Sequence, residues 1–179
     1  MQFVVCCGDI TARGISQEYI WYRQLTDNLK YPLFTVIGNH DHRSNGKKIF
    51  EQMFGLVNMS FIYRGYKFIL FDDVVWENNN KAPDFEWLEA ELTKDELPAI
   101  LLTHIPPWGE QLIDVYDERL SKIIAENNII LCIYGHHHSP YEKIFAGVPA
   151  IITGSVEEHV YRIIKLTACQ HYVETIVFK

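Results

Sequence analysis

Apolar residues fall along this chain in short runs, each the length of a strand, separated by longer polar or amphipathic stretches. Residues 3–7, 33–37, 99–102 and 129–134 are four such runs. Between the first two, residues 15–30 carry Tyr19, Tyr22 and Leu29 at roughly helical spacing, and Pro32 closes the segment. A loop rich in Asn, His, Gly and Ser leads to a short helix near 47–54. Residues 61–64 and 66–71 flank Gly65 as the arms of a tight hairpin. Residues 72–81 read as a polar loop with three consecutive asparagines, and Pro83 then suits the first turn of a helix reaching about Leu92. A further helix is predicted over 116–126. Past residue 134 the pattern changes to short strands at 141–145, 150–153, 160–166 and 171–178. A βαβ beginning and an all-strand ending predict two sheets packed face to face with helices outside.

The residues that carry chemistry sit where these runs end. Gly8-Asp9 follows the first, Gly38-Asn39-His40-Asp41 the second, Thr103-His104 the third and Gly135-His136-His137-His138 the fourth. In an open α/β sheet such ends lie side by side and form the usual crevice for a ligand. Asp9 offers hard anionic oxygen, Asn39 neutral oxygen, and His104, His136 and His138 imidazole nitrogen. That mixture suits Zn, Mn or Fe, whereas an all-oxygen set favours Mg or Ca and thiolates favour structural zinc. His136 and His138 are two apart, so on an extended segment they point the same way and reach adjacent metals.

Taken singly, each cluster has a plainer reading. Gly-Asp after a strand is usually a turn, and Gly-Asn-His-Asp can be a capping loop with Asn39 or Asp41 as the cap. Three adjacent histidines can be a solvated loop, and His104 an ordinary core histidine. All four clusters in this order, each at a strand end, point instead to a metal site doing hydrolytic chemistry.

Composition narrows the class. The 179 residues are 48% hydrophobic and 22% charged, which suits one globular domain spanning residues 1–179. A formal charge of −7 argues against a surface that tracks long nucleic acid, though not against a small phosphorylated substrate next to bound cations. Cys6, Cys7, Cys132 and Cys169 form no zinc-finger or disulfide framework, and the first three lie in apolar runs as small buried hydrophobes. From this we expect a reducing, cytoplasmic location and no membrane partner, since no run reaches spanning length and no signal peptide pattern opens the chain.

The clusters resemble the calcineurin-like metallophosphoesterase superfamily, whose blocks run Asp-x-His, Gly-Asp-x-x-Asp, Gly-Asn-His-Asp/Glu, His and Gly-His-x-His. The resemblance spans residues 8–138 and implies a four-layer α/β/β/α sandwich of two mixed sheets flanked by helices, with two metals at the strand ends. By that resemblance Asp9 bridges both metals, and Asn39, His104 and His136 complete the second. His138 serves the first. His40 would contact the substrate phosphate and protonate the leaving oxygen, with Asp41 orienting its ring. A neutral imidazole held by a carboxylate is more basic and better fixed, which suits that role.

Two departures are visible. Ala12 stands where the second aspartate of Gly-Asp-x-x-Asp is expected, with Arg13 beside it as a possible anion contact. Nothing matches the opening Asp-x-His block, as though the chain began at the family's second strand. The resemblance then leaves Asp9 and His138 for the first metal and a fuller set for the second. The implied reaction is hydrolysis of a phosphomonoester or phosphodiester by a hydroxide bridging two cations about 3.5–4 Å apart. The expected cofactors are two divalent or trivalent ions (Mn, Fe or Zn), and the 179 residues alone are expected to be weak or inactive. The reading frame upstream is expected to encode an apolar strand ending in Asp-x-His. The competing expectation is a non-catalytic interaction module on the same scaffold, and a third is a single-metal binding protein using Asp9, Asn39, His104 and His136. Trp76, in the loop 72–81, and Trp108, in the segment 108–116, are candidates for stacking on a base or aromatic leaving group.

Overall fold

The hydrophobic runs fold as strands, and their period-2 alternation decides which layer each residue enters. The computed structural model describes residues 2–108, 114–167 and 170–179, so Cys169 and most of the segment 108–116 lie outside the described residues. In chain order the elements are β1 (Val4–Cys6), α1 (Ser16–Thr26), β2 (Leu33–Thr35), α2 (Asn39–His42), α3 (Gly46–Phe54), β3 (Met59–Tyr63), β4 (Tyr66–Leu70) and α4 (Phe85–Leu92). They continue with β5 (Ala99–Leu102), α5 (Asp114–Glu126), β6 (Ile129–Tyr134), β7 (Tyr141–Phe145), β8 (Val148–Ile152), β9 (Val160–Leu166) and β10 (His171–Val177).

Six strands form the larger sheet in the order β3-β4-β5-β6-β8-β7. Strands β4, β5, β6 and β8 run parallel to one another, and β3 and β7 are antiparallel edges. Being covered on both sides, the central strands are apolar at nearly every position, as a buried parallel sheet requires; the exception is Lys67 of β4, whose ammonium pairs with Asp95 at 2.8 Å. Phe68, Leu70, Ile100, Leu102, Leu131 and Ile133 face a second β layer and pack with Val5, Phe34, Ile164 and Val173. The alternate residues Ile69, Leu101, Cys132, Tyr134 and Ile152 face the other way, onto Phe85 and Leu88 of α4 and Leu120 and Ile124 of α5.

The second layer consists of the parallel pair β1–β2 and the antiparallel pair β9–β10. Phe34 and Val36 point into the sandwich, whereas Thr35 receives Tyr22 of α1 at 3.2 Å between hydroxyls. Helices α1 and α3 meet through Tyr19 and Phe50 over Ile37. The architecture is the expected α/β sandwich of mixed sheets flanked by helices, with helices outside each β layer.

Several boundaries moved, for physical reasons. Helix α1 stops at Thr26, short of the expected residue 30, because Thr26 turns its hydroxyl onto the Tyr22 carbonyl and Asp27 and Asn28 follow, all poor helix formers. The loop 72–81 is polar in composition yet its first half is interior: Asp72, Asp73, Val74 and Val75 are all buried. Asp72 is held by the His42 ring at 2.9 Å and the Lys47 ammonium at 2.6 Å. Cys7 and Cys132 are buried and Cys6 half-buried, all three free thiols, as their apolar setting implied. No helix among the described residues is long and apolar enough to cross a membrane.

Candidate metal centre

The C-terminal ends of β1, β2, β5 and β6 deliver one cluster. Asp9, His104 and His136 place one oxygen or nitrogen each within 4.8 Å of one another. His104 is the centre, 1% exposed at the end of β5. Its Nδ1 lies 2.6 Å from the Cys7 carbonyl oxygen, which can only accept, so Nδ1 carries a proton. The opposite nitrogen, Nε2, faces Asp9 Oδ2 at 3.2 Å, Asn39 Oδ1 at 3.1 Å and His136 Nδ1 at 3.3 Å. Two oxygens and two nitrogens thus turn lone pairs toward a common point.

Close backbone packing makes that convergence possible. A Cβ on Gly38 would collide with the backbone nitrogen and carboxylate of Asp9, and one on Gly8 would strike the His104 ring. Gly8 also takes φ +95°, where side chains are strained. Asp9 and His136 themselves sit at φ 53° and 61°, a left-handed conformation costing roughly 1–2 kcal/mol per residue. Left-handed non-glycine residues also occur in turns elsewhere, at Arg64 and Ala146 for example, but here two of them are ligand candidates of one cluster.

Charge is distributed accordingly. Burial opposes ionisation of Asp9, but the hydrogen bond and charge of His104 outweigh it and hold the carboxyl below its usual range. Burial likewise disfavours a charged His104, yet Asp9 reverses the balance and raises its pKa. His136 is pushed down to about 4 by burial and then by His104, so its ring is neutral near pH 7 with a lone pair to give. Asp73 sits directly behind, accepting from the backbone nitrogens of His104 at 3.3 Å and Ile105 at 2.9 Å. Burial pushes its carboxyl up to about 7.

This donor set fits a metal ion of borderline softness. Carboxylate, amide oxygen and two imidazoles match the ligands of Zn, Mn and Fe sites. Without a cation the converging lone pairs share few protons, and in the His104–Asp9 pair a proton does the work a metal would do.

The sequence-predicted residues are not all brought together. His138 is exposed and outside the cluster. The expectation that it shares a side with His136 assumed an extended segment. Instead the chain makes a tight turn there, with His137 N donating to Gly135 O at 2.7 Å around the positive φ of His136. Among the described residues there is one cluster of three such ligands, so the expected pair of metal positions is reduced to a single, incomplete triad. His137 is tied to Tyr141 by a 2.8 Å hydrogen bond. Trp108 packs on Tyr134 and Phe145 and bonds the Tyr141 hydroxyl, so it serves the core, while Trp76 is 48% exposed.

His40 and Asp41 occupy α2, but the Asp41 carboxylate is occupied elsewhere. It accepts from Gly38 N at 2.9 Å, Thr11 N at 2.9 Å, Thr11 Oγ1 at 2.8 Å and Ile10 N at 3.3 Å. It therefore caps α2 and fastens the loop after β1 to the loop after β2. His40 is placed by its backbone nitrogen, which donates to Asp9 Oδ1 at 2.9 Å, and by Arg43. Arg43 Nη1 lies 2.9 Å from His40 Nδ1 and 3.1 Å from the Ala12 carbonyl. His40 Nδ1 also lies 3.1 Å from the Ala12 carbonyl oxygen, so a donor and an acceptor both meet that nitrogen. Arg13, beside Ala12, pairs with Glu18 at 3.0 Å.

Three groups escaped the sequence reading. Asp72 and Asp73 follow the run 66–71, and treating that run like the other four strand ends would have singled them out. Glu77 has no such signal; it reaches back from the asparagine-rich loop to accept from Asn39 Nδ2 at 2.9 Å.

Comparison with known proteins places this arrangement. A probable glycerophosphodiester phosphodiesterase of Arcobacter nitrofigilis is 27% identical over 152 residues, covering 75% of this chain and 56% of that protein. A probable cyclic nucleotide phosphodiesterase of Synechococcus is 23% identical over 158 residues, covering 80% and 62%. The chain thus spans about three-fifths of the length of the curated relatives it matches. A dimetal phosphatase from Danio rerio has the same fold, with a TM-score of 0.79 at 13% identity over 100% of this chain and 84% of that one. A family model described as calcineurin-like phosphoesterase matches residues 2–140, which takes in all four strand ends, and the chain belongs to that family.

Proposed function

We propose that the chain carries the active site of a metal-dependent phosphoesterase acting on a small phosphodiester. The observation that carries this reading is the convergence of Asp9 Oδ2, Asn39 Oδ1 and His136 Nδ1 on His104 Nε2. The names of the sequence relatives, both phosphodiesterases, favour a diester over a monoester. Asp9, Asn39, His104 and His136 would hold the ion, with His104 fixed by the Cys7 carbonyl and Asn39 by Glu77. A bound cation supplies positive charge that activates water and stabilises the phosphoryl oxygens.

The remaining work falls to the chain's own groups. His40 stands in the first turn of α2, and a proton held on its imidazole would pass to the departing alkoxide. Arg43 and the Ala12 carbonyl hold the Nδ1 edge of its ring. Asp41 acts at one remove: it locks the loops carrying Asp9 and His40 together, which keeps the proton donor in register with the ligands. His138, exposed and two residues past His136, would join only if the turn at His136 rearranged around a second cation or a substrate phosphate.

Hydrolysis of bis(p-nitrophenyl) phosphate and of p-nitrophenyl phosphate, with Mn²⁺ or with chelator, tests this reading. We expect weak Mn²⁺-dependent turnover that prefers the diester, in keeping with a single incomplete set of ligands. A His40→Ala variant should retain metal and lose about 10²–10⁴ in kcat. A chain that binds metal and turns over neither ester would instead be the interaction module on a phosphoesterase scaffold.

A further inference from the structure

Asn39 is a neutral ligand candidate with two chemically opposite ends, and only its oxygen end can serve a cation. Its orientation is set by one contact. Glu77 Oε1 lies 2.9 Å from Asn39 Nδ2, and a carboxylate can only accept, so the amide nitrogen must face Glu77 and the oxygen must face His104. The amide is buried, 3% exposed, with no room to be fixed by bulk water. Glu77 itself is an awkward residue to keep for packing, because its second oxygen, Oε2, is buried with no hydrogen-bond partner. An anionic oxygen left in that state is unfavourable unless positive charge is nearby.

We infer that Glu77 is a positioning residue of the metal centre, holding the Asn39 amide with its oxygen toward the ion. The inference rests on the metal reading above. It assigns a task to the loop between β4 and α4: that loop reaches across to the ligand following β2 and couples the two. Ligand orientation by outer groups typically accounts for a 10–100-fold difference in metal affinity.

Calorimetric titration with Mn²⁺ separates this role from a merely structural one. Against a parent chain that binds Mn²⁺, Glu77→Ala should bind about 10–100-fold more weakly, with its circular dichroism unchanged. Glu77→Gln keeps a carbonyl oxygen for the Asn39 amide and should stay nearer the parent than the alanine variant. Asn39→Asp combined with Glu77→Ala should regain affinity, because a carboxylate presents oxygen whichever way it turns. A loosened loop would not be repaired by a change at Asn39. Should Glu77→Ala fail to fold, Glu77→Met, similar in length and unable to accept a proton there, takes its place. Parent-like affinity without Glu77, a glutamine variant as weak as alanine, or no recovery in the double variant overturns the inference alone. A parent chain that binds no Mn²⁺ overturns the metal reading as well.

Discussion

His104 is where the account is most exposed to experiment. Its Nδ1 proton belongs to the Cys7 carbonyl, so the other nitrogen is either a ligand or a proton carrier for Asp9. The raised pKa of His104 means the metal-free chain gains stability from the His104–Asp9 ion pair below the ordinary histidine range and loses it as pH rises through the folded value. Melting temperature in chelator should therefore fall as pH rises above the ordinary histidine range. Asp9→Asn should flatten that slope, and Mn²⁺ should reverse it, because metal binding releases the same proton. The ligand types at 9, 39, 104 and 136 were legible from residue identity at strand ends. Roles that depend on side-chain direction were not. Nothing in Gly-Asn-His-Asp says that the Asp41 carboxylate turns to Thr11 and Gly38 rather than to the neighbouring imidazole.

Among the elements, the hairpin shows what local pattern settles well. Arg64 and Gly65 both take positive φ between β3 and β4, as a two-residue turn demands, so Arg64 leaves the expected arm 61–64, and β3 starts two residues earlier, at Met59. The turn at His136 shows the opposite. The strand ends at Tyr134, as its apolar run does, but the shape of the loop that follows is not written in residues 135–138: the chain turns tightly at His136, and His138 lies outside the cluster. Helix α2 is short and stands on its cap, so Asp41→Asn, which cannot satisfy all four donors, should cost about 1–3 kcal/mol by urea unfolding. Gly38→Ala, which drives a methyl group into Asp9, should abolish Mn²⁺ binding while the far-ultraviolet circular dichroism keeps its shape.

Across the whole molecule, the site exists because one apolar sheet holds several strand ends in line. Ile100 lies fully buried between the two β layers, and Ile100→Ala should destabilise the chain by about 2–5 kcal/mol in the same unfolding assay. The central runs are apolar on both faces, so only the packed structure shows that Phe68, Leu70, Ile100 and Leu102 face one layer and Ile69 and Leu101 the other. Strand order was no easier to see. That β8 inserts between β6 and β7 depends on pairing across a hairpin, and no single run encodes it. The burial of Asp72 and Asp73 was hidden for a similar reason: their partners, His42, Lys47 and the 104–105 backbone, come from other elements.

The central claim is that one ion binds between the ends of β1, β2, β5 and β6. Anomalous scattering from a crystal soaked in Mn²⁺ tests it most directly. The account predicts a peak within ligand distance of Asp9, Asn39, His104 and His136. A peak elsewhere, or none while His104 still pairs with Asp9, would contradict it.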